Sequence, residues 1–459
     1  MNTRYTEGPS LRAPRLHRTV VAIAATVLAV VAQAAPSAAA PARPDQLREA
    51  ALVTGPTEAF QPIWGIADLG HGLVAGSTRW RHDDGFIWND TYGPFLWSEH
   101  GTARRIEVPP ELSTTPSVYT PSGMTPDGGT VVGTVLFRQA LISEPWAWTI
   151  QTGLTFLELP PDPAFGGEAV AVSNNGRLVA GNVSRQGRLA TSQATVWRNG
   201  VPQTLPSSQP WSEAHAMSPD GSVIVGAAGP SRSQPQATRW VNGVEQPLST
   251  LDDGVSSSTA TFVVNNGSAF GTATLTDDRT VLMRWNQNGA PEVLTPPAGL
   301  SVARLSAIDE LGTAAGGAFA EKTSCIVTPD PACNWAPFVW TQRDGFTILP
   351  ENGLEDYYDR SVVEDVSDHG RVVVGELARS IIGPTGERQQ GFVWSASSGL
   401  LLANDLMAAT GQPSRDYHSA GSVSRNGMRV LLTGNPPASP HDTLSVLVDL
   451  PPLWSVPIS

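Results

Sequence analysis

A single phrase returns along this chain: a hydrophobic residue, Ser or Thr, a polar turn closing on Gly, a valine-rich run, and a second Gly. The clearest copies are Met124-Thr125-Pro126-Asp127-Gly128 through Gly133, Val172-Ser173-Asn174-Asn175-Gly176 through Gly181, Met217-Ser218-Pro219-Asp220-Gly221 through Gly226, and Val366-Ser367-Asp368-His369-Gly370 through Gly375. Weaker copies surround Leu69-Gly70, Asn266-Gly267, Leu311-Gly312 and Asn426-Gly427, which makes eight. An internal period of this kind fixes the architecture before any single residue is considered. It also leaves the activity open, because one repeat scaffold serves many functions.

Each unit has a second half, a short segment ending in Trp: Trp97, Trp148, Trp197, Trp240, Trp285, Trp340 and Trp394, with Ser445-Val446-Leu447 in that place in the eighth unit. Successive Trp residues stand 43 to 55 positions apart, the length of a four-stranded propeller blade; a parallel β-helix coil is about half as long. Four strands follow from turn chemistry. The first ends at the Asp-Gly or Asn-Gly pair, which supplies the positive φ angles of a tight hairpin. The second is the β-branched run. The third carries the Trp, expected to pack between neighbouring blades. A Gly three to five residues later (Gly101, Gly153, Gly200, Gly243, Gly289, Gly345, Gly399) turns the chain into the fourth. Alternating direction then places first-to-second and third-to-fourth turns on one face. The second-to-third connections and the crossovers, expected to be long, fall on the other. The fold class predicted is an all-β propeller of eight four-stranded blades, or seven if the terminal units merge.

The ends are read separately. Arg4, Arg12, Arg15 and Arg18 precede an apolar run from Thr19 to Val31 and small-residue cleavage signals at Ala32-Gln33-Ala34 or Ser37 to Ala40. That is the pattern of a secretory signal peptide, and the run is shorter than the roughly 20 residues a bilayer span needs. The expected organisation is a leader at 1–40, a linker at 41–60 with a possible blade-closing strand (the stretch from Ala51 to Trp64), the repeat domain at 61–450 and a tail at 451–459. An exported, monomeric protein with no stable membrane span follows. In an oxidising compartment Cys325 and Cys333 are expected to form a local disulfide. The net charge of −13 and a single lysine, Lys322, argue against nucleic acid as the partner.

The units resemble those of the HAF-repeat extracellular proteins of bacteria. The match runs through Val366-Ser367-Asp368-His369-Gly370-Arg371-Val372-Val373-Val374-Gly375, then Gly391-Phe392-Val393-Trp394, then Gly399-Leu400-Leu401-Leu402. The resemblance implies an exported repeat protein. It transfers no catalytic residue, because the shared positions are structural. The eighth unit departs most, lacking the Trp and the last strand.

No G-x-S-x-G elbow, H-E-x-x-H, Walker loop or dinucleotide fingerprint is present. The repeated Ser-x-Asp-Gly reads as turn chemistry, since it recurs copy after copy, and none of the Asp-Gly pairs has the ligand spacing of an EF loop. The most site-like segment is Arg79 to Tyr92. There Trp80, Trp88 and Tyr92 offer ring faces, and His82, Asp83 and Asp84 offer polar groups, the combination a sugar surface needs; packing of the same rings in the sheet is the ordinary reading. Tyr357 and Tyr358, among Glu355, Asp356 and Asp359, form a second patch. His82, His215 and His418 would make a metal or catalytic site only if the ring gathered them with Asp83 or Asp416. No cofactor is expected. The leading functional expectation is a module that binds a glycan or a cell-surface protein through the long-loop face. A polysaccharide hydrolase or lyase and a purely structural surface protein are the alternatives.

Overall fold

A computed structural model describes residues 51–450 apart from 55–61, 69–71, 81–90, 99–103, 113–114, 139, 162–163, 186–191, 249–253, 321–334, 351–359, 380–387, 410–415 and 436–443. The proposed leader, the tail, Cys325 and Cys333 lie outside the described residues. Among those described, the chain forms thirty-two strands. Six sheets have four strands each, and one has eight. The eight-stranded sheet is two four-stranded runs joined by a single parallel bridge, Tyr92 to Val118.

Each run is an antiparallel meander. Ala164–Val172, Leu178–Arg185, Ser192–Arg198 and Val201–Thr204 pair in that order, and the same order repeats from sheet to sheet. Neighbouring first strands, Ser117–Met124 on Ala164–Val172, Trp211–Met217 on Val255–Val263 and Ser301–Ile308 on Val362–Val366 among them, pack on one another and so lie innermost. The last sheet contains Asp416–Val423, Arg429–Asn435 and Leu444–Asp449. Its fourth strand comes from the other end of the chain: Ala51–Thr54 pairs antiparallel with Leu444–Asp449. Val74, Phe95 and Trp97 of the first sheet share one buried cluster with Leu431 and Leu447 of the last. The succession of sheets therefore closes on itself, which is the arrangement of a β-propeller.

The local sequence explains the turns, with one correction. In the turns after the first strands only the Gly is left-handed (φ is 65° at Gly128, 69° at Gly176 and 76° at Gly221), except at His369-Gly370, where both residues are. Asp or Asn before it does not supply a second positive φ; it holds the turn through its side chain. Asp220 Oδ1 accepts the Ser218 hydroxyl (2.6 Å) and the Ser222 N–H (2.9 Å), while Ser218 Oγ accepts the Val223 N–H (3.0 Å). The same set recurs at Thr125 and Asp127 and at Ser173 and Asn175. These bonds stabilise the ionised carboxylate, so Asp220 and Asp127 are held below the usual range, first by the hydroxyl and then by the amide. Two-residue hairpins with both residues left-handed do occur between third and fourth strands, at Asn199-Gly200 and Asn242-Gly243.

The second Gly of the phrase has a different cause. Every inner strand from Ser117–Met124 to Asp416–Val423 carries a β-bulge at the same place, between residues such as Ala169 and Ala171, Ala214 and Ala216, or Leu305 and Ala307. The bulge presses a carbonyl against the second strand. A Cβ on Gly226 would overlap the Glu213 carbonyl oxygen, and one on Gly181 would overlap that of Glu168. Only glycine fits opposite a backbone pushed that close.

Tryptophan joins sheet to sheet. Trp197 shares a buried cluster with Val132 and Leu157 of the preceding sheet, and Trp240 shares one with Val196 and Leu205. Their indole N–H groups donate to Glu158 O (2.6 Å) and Pro206 O (2.7 Å), where the preceding sheet's last strand ends. In the last sheet this place belongs to Val448, not Leu447: Val448 pairs with Val430 as Trp240 pairs with Ile224. Two further expectations are corrected. The second-to-third connections are short turns after Phe137 and after Leu275, because Ile142 and Thr280 resume the sheet at once. The crossover into the last sheet contains a helix, Ala403–Ala409, which buries Ala403, Leu406 and Met407 against that sheet. No helix among the described residues is long and apolar enough to cross a membrane.

Two substitutions check this account by denaturant unfolding. Trp240→Ala is expected to cost about 3–5 kcal/mol through lost burial and a cavity, with Trp240→Phe recovering part of it. Gly226→Ala is expected to cost more than the ~1 kcal/mol typical of a point change, whereas a sheet without the bulge would accept it at little cost.

Candidate functional site

The bulge builds the inner wall. The extra residue on each inner strand is Ser122, Val170, His215, Thr261, Ser306, Glu364 or Gly421. At Ser122, His215 and Ser306 the side chain reaches to the next inner strand. Ser122 Oγ donates to Ala169 O (2.5 Å), His215 Nδ1 to Ala260 O (3.0 Å), and Ser306 Oγ to Val363 O. Val170 has nothing to donate, and there Asn182 takes over: its amide donates to Ala214 O (3.0 Å) and accepts from Ala214 N (2.7 Å). A belt of polar contacts thus links the inner strands.

His215 stands in a position that serine fills elsewhere. A carbonyl can only accept, so Nδ1 carries a proton and Nε2 is turned to the other side, 3.8 Å from Glu213 Oε2. Glu168, on the preceding inner strand, accepts the Asn182 amide at 2.9 Å. On the later sheets Arg304 Nη2 meets Glu364 Oε2 at 3.2 Å, across two inner strands. Burial pushes the Glu364 carboxyl up, and the Arg304 charge offsets this in part. The inner strands therefore carry the Glu168, Glu213 and Glu364 carboxylates together with the His215 imidazole and the Arg304 guanidinium. Such groups can hydrogen-bond hydroxyls from both sides and hold a cationic group.

At the last seam the belt contact is a carboxylate. Asp365 accepts the Ser422 hydroxyl (2.8 Å), the Val423 N–H (2.9 Å) and the Val366 N–H (2.8 Å). Burial nevertheless pushes it up to about 6, the hydrogen bonds lower it less, and neighbouring Glu364 adds to the rise.

The residues expected from sequence are only partly visible. Trp80 ends the strand Leu73–Trp80; His82, Asp83, Asp84 and Trp88, like Tyr357 and Tyr358, lie outside the described residues. Tyr92 lies in Thr91–Ser98, is buried, and has the Arg138 guanidinium 5.2 Å from its ring centroid. His215 and His418 stand on inner strands separated by three sheets, so the ring does not gather them. Among the described residues no group of three or more His, Cys, Asp or Glu is placed to hold a metal ion. The residues sequence reasoning missed are Glu168, Asn182, Glu213, Arg304, Glu364 and Asp365. A signal existed: Glu168, Glu213 and Arg304 each stand thirteen positions before the bulge glycine of their unit, Gly181, Gly226 and Gly317.

No protein-family model matches the chain, and no curated protein matches it. Among solved structures, TolB from Acinetobacter baumannii is 14% identical with a TM-score of 0.35, over 72% of this chain and 79% of that one. The β-propeller domain of the Trilobed protease from Pyrococcus furiosus is 9% identical with a TM-score of 0.40, over 82% and 90%. A post-proline cleaving enzyme from Rickettsia typhi is 10% identical with a TM-score of 0.48, over 82% of this chain and 58% of its own.

The seam carboxylate makes a pH prediction. Because the folded value of Asp365 is raised, its favourable contribution is complete below about pH 4 and is lost as pH rises toward about 6. Asp365→Asn, which keeps the shape without the charge, is expected to close that gap. Its melting temperature relative to the parent should climb between pH 4 and pH 7; a constant difference across that range would contradict the assignment.

Proposed function

We propose that this chain is an exported, eight-bladed β-propeller that binds a glycan or a cell-surface protein on the side of the ring where the longer connections emerge. The observation that carries the reading is the inner wall. Solvent reaches 26% of the His215 side chain, 46% of Arg304 and 23% of Glu364, so these polar groups stay open to a ligand. Rings converging on a polar axis are where pockets form on such scaffolds. Eight blades account for eight repeats, with the N-terminal strand completing the last. Export and membership among HAF-repeat proteins rest on the leader pattern and on the repeat phrase.

A glycan array probed with the protein and with Glu213→Gln and Arg304→Ala tests the reading. Binding to a defined glycan class, weakened at least tenfold by either change, is expected. An array and a cell-surface protein panel that both stay blank would leave a structural role instead.

A second reading has its own support. Glu168 and Glu213 stand on adjacent inner strands with His215 two residues on, groups suited to acid–base work on a polysaccharide. Release of reducing ends from a polysaccharide panel, abolished in Glu213→Gln, would favour a hydrolase or lyase over a binder.

A further inference from the structure

Asparagine followed by glycine is a dipeptide that can react with itself. The glycine nitrogen can attack the asparagine Cγ, because no side chain on the following residue bars the approach. The chain has seven such pairs, beginning at Asn175, Asn199, Asn242, Asn266, Asn288, Asn352 and Asn426; Asn352 lies outside the described residues. The fold places the other six in two kinds of turn, and the two kinds differ in chemistry.

Four pairs are held. In each the glycine N–H donates to a carbonyl three residues back: Gly176 to Ser173 O (2.8 Å), Gly267 to Val264 O (2.8 Å), Gly289 to Asn286 O (2.7 Å) and Gly427 to Ser424 O (2.8 Å). Three of the side chains are fixed as well, since Asn175, Asn266 and Asn426 Oδ1 accept the N–H two positions on. Space is short at three of the glycines. Thr130 stands against Gly176, the Arg239 guanidinium against Gly289 and Val372 against Gly427.

Two pairs are open. Asn199-Gly200 and Asn242-Gly243 form hairpins between third and fourth strands on adjacent sheets, with all four residues left-handed. Both asparagines are exposed. Among the described residues neither side chain has a hydrogen-bond partner, and the Gly200 and Gly243 N–H groups donate to no protein group. A Cβ built on either glycine would meet nothing within 4 Å. The asparagine N–H groups are tied, to Arg177 O (2.9 Å) and Ser222 O (2.8 Å). Each hairpin is therefore anchored on one side of the reacting peptide group and free at that group itself.

We propose that Asn199 and Asn242 are sites of spontaneous deamidation. A solvent base takes the proton of the glycine N–H. The nitrogen bonds to the asparagine Cγ, the Cγ–Nδ2 bond breaks, and the amide nitrogen leaves as ammonia after taking a proton from water. The product is a five-membered succinimide. Water then cleaves the new Cγ–N bond to leave aspartate, or the original C–N bond to leave isoaspartate with the chain rerouted through the side chain. Nothing is oxidised or reduced. Each conversion adds one negative charge to a chain of net charge −13. Isoaspartate also adds a backbone methylene to a two-residue turn, and the turn sets the register of the strands it joins. The fourth strands Val201–Thr204 and Val244–Pro247 are the elements this disturbs. The reaction needs only the turns and does not depend on any ligand at the axis.

The test is incubation of the whole folded protein at mildly alkaline pH, below its melting temperature. Peptide mass mapping follows each pair over time, and enzymatic methylation detects isoaspartate. Asn199 and Asn242 are expected to convert at least tenfold faster than Asn175, Asn266, Asn288 and Asn426, and faster still as pH rises. A parallel sample unfolded in denaturant is expected to convert all six at similar rates, which assigns the difference to the fold. The variant Asn199→Asp/Asn242→Asp should begin with the acidic shift on ion exchange and acquire little more. Equal rates in the folded protein, an order that merely repeats the unfolded one, survival of either Asn199 or Asn242 while the unfolded chain converts, or acidification of the variant at the parent rate overturns the proposal.

Discussion

No sheet in this protein can bury both of its faces without a neighbour on each side, and that constraint governs everything else. Each repeat tryptophan lies against the sheet before it, and Trp197 and Trp240 give their indole N–H to a carbonyl at that sheet's edge, Glu158 O and Pro206 O. A linear stack would leave one apolar face open at each end. Here the first and last sheets meet through Val74, Phe95, Trp97, Leu431 and Leu447, and the N-terminal strand covers the last sheet's outer edge. Closure removes two exposed faces and an unpaired edge together.

The same economy of space fixes the inner wall. A glycine on the second strand, such as Gly181, Gly226 or Gly317, admits the bulge on the first, although in the last sheet Leu432 stands in that place. At Ser122, His215 and Ser306 the bulge carries the extra side chain to the next sheet, where it meets backbone, and at other seams Asn182 or Asp365 makes the contact. Serine, asparagine, histidine and aspartate all perform this task at different seams. His215 is therefore first a structural residue, and only its second nitrogen and its neighbour Glu213 are free for other chemistry. The polar character of the axis follows from a backbone irregularity, not from a separately assembled site.

Most of the scaffold was readable in the sequence because a repeat averages out local ambiguity. Eight copies of one phrase make the turn, the β-branched run and the tryptophan stand out from their surroundings. What was misread came from geometry that composition does not encode. The Asp-Gly pattern points to positive φ at Asp127 and Asp220, yet both hold their turns through carboxylate hydrogen bonds. The place of the missing tryptophan was set one residue early, at Leu447 instead of Val448, because only pairing with Val430 fixes the register. Glu213, Arg304 and Asp365 escaped notice because single charged residues in a strand look like solvated positions until a bulge turns them toward a neighbour.

The closure between chain ends is the most exposed part of this account. Ala51 and Asp449 are direct partners across the final strand pair, and partners in an antiparallel ladder stand about 4.5–5.5 Å apart at Cα, within disulfide range. The variant Ala51→Cys/Asp449→Cys, oxidised gently at low protein concentration and mapped by peptide mass analysis, should form that bond within a single molecule and melt at a higher temperature than its reduced form. Cysteines that stay unlinked, or that link only between molecules, would mean the ring is not closed by its N-terminal strand.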